Sequence, residues 1–238
     1  VGANLEQTEV RSGTSTLVPL PNIWEPYLGS RTAVPLTLGW ARDGRDSALV
    51  PTKGMYQRFF SDWSVAGDSR YVRANYQFQQ YIPLTKKFTF AFNSDLGWGK
   101  GLNGQAFPIF KNFYVGGLGS VRGYQQSTLG YSEPSHPPEN TNLVYVGGAK
   151  KVVLNAEMIG PFPGAGNDKT LRMFAFVDAG YAYREQDPIR LNELRSSYGV
   201  GLSWISPMGP LRFSYAVPIN ARPEDKIQKF QFQIGTAF

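Results

Sequence analysis

The sequence has no cysteine and one histidine. Disulfides, thiol chemistry and Cys-ligated metal sites are therefore excluded, and His136, set between Ser135 and Pro137, has no second candidate to orient it as a base or to share a metal. No enzyme chemistry, metal centre or cofactor is expected. Charge is scarce as well, at 18% of residues against roughly 25% in an average soluble domain. The net charge is +6, yet no run of about five or six like charges forms a basic tail, so nucleic acid is not an expected partner. Mean hydropathy is −0.30 and no apolar run approaches the ~18 residues of a transmembrane helix. The glycines lack the Gly-Lys-Ser/Thr ending of a phosphate-binding loop.

What the sequence does have is rings: 5 Trp, 13 Tyr and 16 Phe. With 26 Gly and 17 Pro it also resists long helices, and the period that recurs is two. Phe230, Phe232 and Ile234 alternate with Gln231, Gln233 and Gly235 before the terminal Phe238. Leu211, Phe213, Tyr215 and Val217 alternate with Arg212, Ser214 and Ala216, and Tyr198, Val200, Leu202 and Trp204 with Gly199, Gly201 and Ser203. Similar repeats begin at Val34, Met55, Val72 and Phe88, and two more, Val152 to Ile159 and Leu171 to Tyr183, each carry one acid on the polar phase, Glu157 and Asp178. These are nine strands, with Val1 to Leu5 reading as the end of another already under way.

Alternation of this kind also suits a water-soluble β-sandwich. Three features favour a membrane barrel instead. The strands run to about 9 to 13 residues, the length a tilted strand needs to cross a bilayer. Their polar phase is rich in Gly, Ser, Asn and Gln, as in a crowded lumen. Rings gather at strand ends (Trp40, Trp63, Tyr81, Trp98, Tyr183, Trp204, Phe238), where a girdle would sit at headgroup depth. The expected fold is thus all-β, an antiparallel transmembrane β-barrel. In hydrocarbon an unpaired backbone group costs several kcal/mol, which is why a spanning sheet must close or otherwise satisfy its edges.

The stretch 100–142 breaks the alternation and is far longer than the other connections, which marks it as functional or disordered. Its second part, Tyr131 to Asn140, is polar and Pro-rich and reads as an exposed tip holding His136. Its first part combines bulky anchors, Phe107, Ile109, Phe110, Phe113 and Tyr114, with turn-permitting glycines, a composition that suits packing against something.

Here the sequence resembles a known family. Phe113-Tyr114-Val115-Gly116-Gly117 followed by Val121-Arg122-Gly123-Tyr124 looks like the loop signature of the BamA family of outer-membrane assembly proteins, whose relatives include two-partner secretion transporters. Trp204 to Ala216 and Phe230 to Gly235 are similar to that family's last strands, and the likeness extends over essentially the whole chain from Val34. Tyr124 stands where many members have Phe, and Phe238 where they end in Trp.

The resemblance implies that residues 1–238 form the C-terminal portion of the barrel, roughly the last ten strands of a sixteen-strand barrel, without the periplasmic POTRA domains. It implies an extracellular loop 100–142 folded into the lumen, with Arg122 meeting Glu157 and Asp178. It further implies a loosened seam at the strand of Phe230, Phe232, Ile234, Gly235 and Phe238, where a kink at Gly235 would let the edge open and template a client strand. The implied partners are the lipid bilayer, client outer-membrane proteins and periplasmic lipoproteins of an assembly complex, in the outer membrane of a Gram-negative bacterium. A two-partner secretion transporter or a passive porin-type channel remains the alternative.

Overall fold

The computed structural model describes residues 1–11, 22–134, 143–164, 170–207 and 209–235. His136 and Phe238 lie outside the described residues. Fifteen strands form in chain order: β1 (Gly2–Ala3), β2 (Glu6–Val10), β3 (Gly29–Asp43), β4 (Gly54–Gly67), β5 (Tyr71–Pro83), β6 (Thr89–Gly101), β7 (Gly123–Tyr124), β8 (Tyr131–Pro134), β9 (Leu143–Gly147), β10 (Lys150–Pro161), β11 (Leu171–Tyr183), β12 (Arg195–Ser206), β13 (Gly209–Pro218), β14 (Ile227–Gln228) and β15 (Phe230–Ile234). Eleven of them make one antiparallel sheet in the order β1, β3, β4, β5, β6, β10, β11, β12, β13, β15, with β2 also on β3. Eight strands of 10 to 15 residues and the five described residues of β15 fall where alternation predicts the nine.

The long strands reach 10 to 15 residues from β3 to β13. At about 3.3 Å per residue and a tilt near 45°, such strands span roughly the ~30 Å of a hydrocarbon core. One face is exposed and apolar: Leu36, Leu38, Trp40, Trp63, Trp98 and Trp204 all stand out from the sheet. Water disfavours such a band and lipid does not, so the fold is an antiparallel transmembrane partial barrel. Among the described residues no pairing joins β15 to the first strands.

Two members of the expected ring girdle belong elsewhere. Tyr81 lies on the inward phase of β5 and lines the interior cavity. Tyr183 is 2% exposed, covered by the connection after β11, and its hydroxyl donates to the Arg190 carbonyl. The excursion from the wall is also longer than 100–142. β6 continues to Gly101, and β8 and β9 pair with each other before the wall resumes at β10, so Tyr131 to Pro134 is a strand and not part of a free tip.

The interior explains the inward glycines. A Cβ on Gly99 would stand 2.5 Å from the Phe107 ring and one on Gly97 2.9 Å from the Phe113 ring. On β12 the clashes would be 2.6 Å at Gly199 with Phe176 and 2.3 Å at Gly201 with Phe174, each the cross-strand partner of its ring. Glycine on the polar phase is therefore a seat for an aromatic. Val115, Val121, Tyr124 and Leu129 of the excursion close a core with Val153 and Ala182 of the wall. Inside the sheet lies a cavity of about 490 Å³ bounded by Arg45, Gln79, Arg122, Arg172, Arg212 and Gln233, which places β5, β11, β13 and β15 around one space.

Candidate functional site

The site lies where the excursion meets β10 and β11. Asn155 pairs with Asp178 across these strands, and Glu157 sits two residues further along β10, so both acids face inward on neighbouring strands. Val121 and Tyr124 are completely buried and hold the backbone between them against the wall. Gly123 adopts φ +90, and a Cβ there would lie 3.0 Å from that of Ala216, so only glycine gives both the turn and the approach.

Arg122, thus aimed, is 2% exposed. Its Nε and Nη2 donate to the two Asp178 carboxylate oxygens at 2.7 and 2.6 Å, its backbone N–H adds a third bond at 3.0 Å, and Nη1 donates to Glu157 Oε1 at 2.6 Å. The guanidinium carbon stands 3.5 Å from the centroid of the Phe176 ring, which supplies a flat, polarisable floor.

One arginine between two buried carboxylates would leave a net negative charge, which is costly in a dry interior. Arg212 completes the balance. From β13 its Nη2 donates to the same Glu157 oxygen at 2.5 Å, and it stacks on Phe174 with its guanidinium carbon 4.3 Å from the ring centroid. Asn155 donates to both Asp178 and the Ser120 carbonyl, at 2.8 and 2.6 Å, joining wall, acid and excursion through one amide. Arg212, Asn155, Phe174 and Phe176 are thus site residues beyond the three named from the resemblance. Arg212 and Asn155 lie on the polar phase of their strands. Phe174 and Phe176 share a phase with Asp178, and rings on the acid's side of a strand are the signal that they face inward.

Tyr124 is buried beyond the arginine, and its hydroxyl donates to the Ser196 carbonyl at 3.2 Å. Burial, reinforced by Asp225 and opposed by Arg195, pushes this phenol up to about 12, so it remains a donor across the physiological range.

The seam residues are placed differently. Phe230, Phe232 and Ile234 are exposed on the outer face of β15, and among the described residues that strand pairs with β13 over Leu211 to Tyr215. Gly235 has φ +88, with its N–H donating to the Pro210 carbonyl at 2.8 Å, so the chain bends at the end of the wall.

A lipid-facing sheet with a charged excursion docked on its inner face defines a plugged portion of a membrane β-barrel. The chain belongs to the Omp85 superfamily, whose domain model matches residues 1–238. It is similar to the outer membrane protein assembly factor BamA of Neisseria meningitidis serogroup B, with 38% identity over 228 residues that cover 85% of this chain and 28% of that protein. A SAM50-like protein of Schizosaccharomyces pombe is 23% identical over 217 residues, covering 85% of this chain and 44% of its own length. Among solved structures, that of BamA from Haemophilus ducreyi lacking POTRA domains 1-3 matches with a TM-score of 0.77 at 27% identity, over 85% of this chain and 42% of that one. The chain spans from about a quarter to just under half the length of the relatives it matches.

Proposed function

We propose that this chain is the C-terminal barrel portion of an outer-membrane assembly factor of a Gram-negative bacterium, an insertase that folds client β-barrel proteins into the bilayer. The observation that carries the reading is the short ladder at the terminal edge of the wall: among the described residues β15 has five residue pairs to β13, where β10 has twelve to β11; at the opposite edge β2 has five and β1 two on β3. Such an edge exposes backbone donors and acceptors, and an extended client segment can add to them strand by strand. The outward rings Phe230 and Phe232 sit beside that edge and disturb lipid packing there. In this reading the work is done by lowering the barrier to insertion, with no covalent bond made or broken. The loop motif, tied to Glu157 and Asp178, keeps the lumen filled while the edge works. The similarity to BamA, named an outer membrane protein assembly factor, supports the same activity here, with a lipid bilayer, client barrels and periplasmic lipoproteins as partners.

The test is reconstitution. The full-length protein in phospholipid vesicles, given a urea-denatured client barrel, should fold and insert that client at least tenfold faster than protein-free vesicles. Equal rates would refute the proposal. A steady, large conductance in a planar bilayer would point to a porin instead.

A further inference from the structure

The loop motif makes a second attachment, to the strand at the edge of the sheet. Gly123 and Tyr124 form a two-residue antiparallel ladder with Gln228 and Ile227. The Gln125 N–H extends it, donating to the Lys226 carbonyl at 2.8 Å. From β15 itself, the buried Gln231 side chain donates through Nε2 to the Tyr124 carbonyl at 2.7 Å. Gly123, meanwhile, presses against Ala216 of β13.

These contacts divide the holding of the terminal strand. Its ladder with β13 ends at the pair Tyr215 and Phe230, closed by one further bond from the Ala216 N–H to the Lys229 carbonyl. Beyond that point Val217 and Pro218 have partners on β12 but none on the terminal strand, because residues 226–228 turn off the wall and onto the loop motif. The connection leading there is tied down too: Arg195, 2% exposed, donates to Asp225 at 2.5 Å, and the Tyr145 hydroxyl donates to the Glu224 carbonyl at 2.8 Å. The segment Arg122 to Gln125 therefore bonds the acids of β10 and β11 with one residue and the leading end of the seam strand with the next three.

We propose that the docked loop is a clamp on the terminal strand. The ladder at 123–124 with 227–228 and the positioning residue Gln231 couple the loop to the seam, and the seam cannot admit a client strand along its full length until that ladder opens. The client step rests on the insertase reading, whereas the clamp itself does not.

This chain has no cysteine, so within it Gln125→Cys with Lys226→Cys introduces the only two thiols, both at exposed positions, and any cysteine elsewhere in the full-length protein is replaced by serine first. Facing residues of an antiparallel ladder lie about 4.5 to 5.5 Å apart at Cα, within the range a disulfide spans. In the full-length protein in vesicles, oxidation should cross-link the pair, slow client insertion at least tenfold, and slow amide exchange at Phe230 to Ile234 at least tenfold, with both rates restored by reductant. Cross-linked protein that inserts clients and exchanges at the reduced rates would overturn the clamp. If reduced and unsubstituted proteins both fail to insert clients above protein-free vesicles, the insertase reading falls, and the exchange result alone decides the clamp: slowed upholds it, unchanged refutes it. A second variant, Gln231→Met, keeps the side-chain length and removes the donor. It should raise exchange at least fivefold both at 122–125 and at 230–234, and a rise confined to 230–234 would overturn the coupling.

Discussion

Twelve residue pairs join β10 to β11, and the inner face they share carries Glu157 and Asp178, closed over by Arg122. Five pairs join β13 to β15, and the outer face there carries Phe230, Phe232 and Ile234 with most of their surface exposed. Both regions have the same alternating pattern and the same backbone chemistry. They differ in what covers them. In the first, the buried Arg122, Glu157 and Asp178 are balanced two charges against two by the half-buried Arg212, and each group has hydrogen-bonding partners. In the second, the strand is short, bends at Gly235 and turns at its other end onto the loop. The comparison teaches that one barrel wall can hold both a long ladder bound from within by polar contacts and a short ladder at its edge, and interior contacts and ladder length are the terms that set local stability.

The largest effect on this contrast should come from Arg122→Ala. Removing the cation leaves Asp178 buried and uncompensated, a loss of about 3 to 5 kcal/mol. We expect a lower melting temperature and new protease cleavage within 102–149, and an unchanged cleavage pattern would show that the cluster does not hold the loop. Arg122→Lys keeps the charge and forfeits the fork to Asp178, so a smaller loss, about 1.5 to 3 kcal/mol, is expected in the same melting experiment.

Gly235→Ala probes the other region. No heavy atom lies within 4 Å of the added Cβ, so the cost is backbone strain alone at φ +88, about 1 to 2 kcal/mol. Amide exchange at 230–234 should rise while exchange in β10 and β11 stays as it was. A parallel rise in all three strands would erase the distinction between edge and wall.

The smallest effect belongs to the 44–53 turn. Asp46 accepts bonds from the N–H and hydroxyl of Thr52 and from the Lys53 N–H. Slight burial raises its carboxyl, but these bonds outweigh it and hold the group at about 2. A carboxyl whose folded value is depressed contributes stability above its unfolded value, near 3.9, and loses it as pH falls through about 2. Exchange at Thr52 and Lys53 should therefore accelerate between pH 4 and 2, with β10 and β11 lagging behind. Acceleration that tracks those strands would mean global unfolding.

The rings at strand ends show where reading the sequence succeeds and where it stops. Trp98 and Tyr81 both lie toward the ends of alternating segments, yet Trp98 stands on the exposed face while Tyr81 lines the cavity. Position along a strand is one variable and phase is another, and for Tyr81 the phase decides. Tyr183 has a suitable position, but the following connection buries it, and such cover leaves no mark on the period. Tyr131 to Pro134 pairs with Leu143 to Gly147 across the Pro-rich segment, a ladder too short for alternation to reveal. Arg212 is legible as an inward residue, but its meeting with Glu157 spans 55 positions.

By itself the sequence determined the strands, their two faces and the excursion that interrupts them, because a period of two depends only on backbone geometry and on which side chains tolerate an apolar surround. The tertiary structure alone decided that Arg212 neutralises the cluster, that inward glycines seat the four rings, and that the last strand leaves the wall for the loop motif. Those outcomes depend on sheet curvature and on register between strands distant in sequence, which bring together side chains that no local pattern relates.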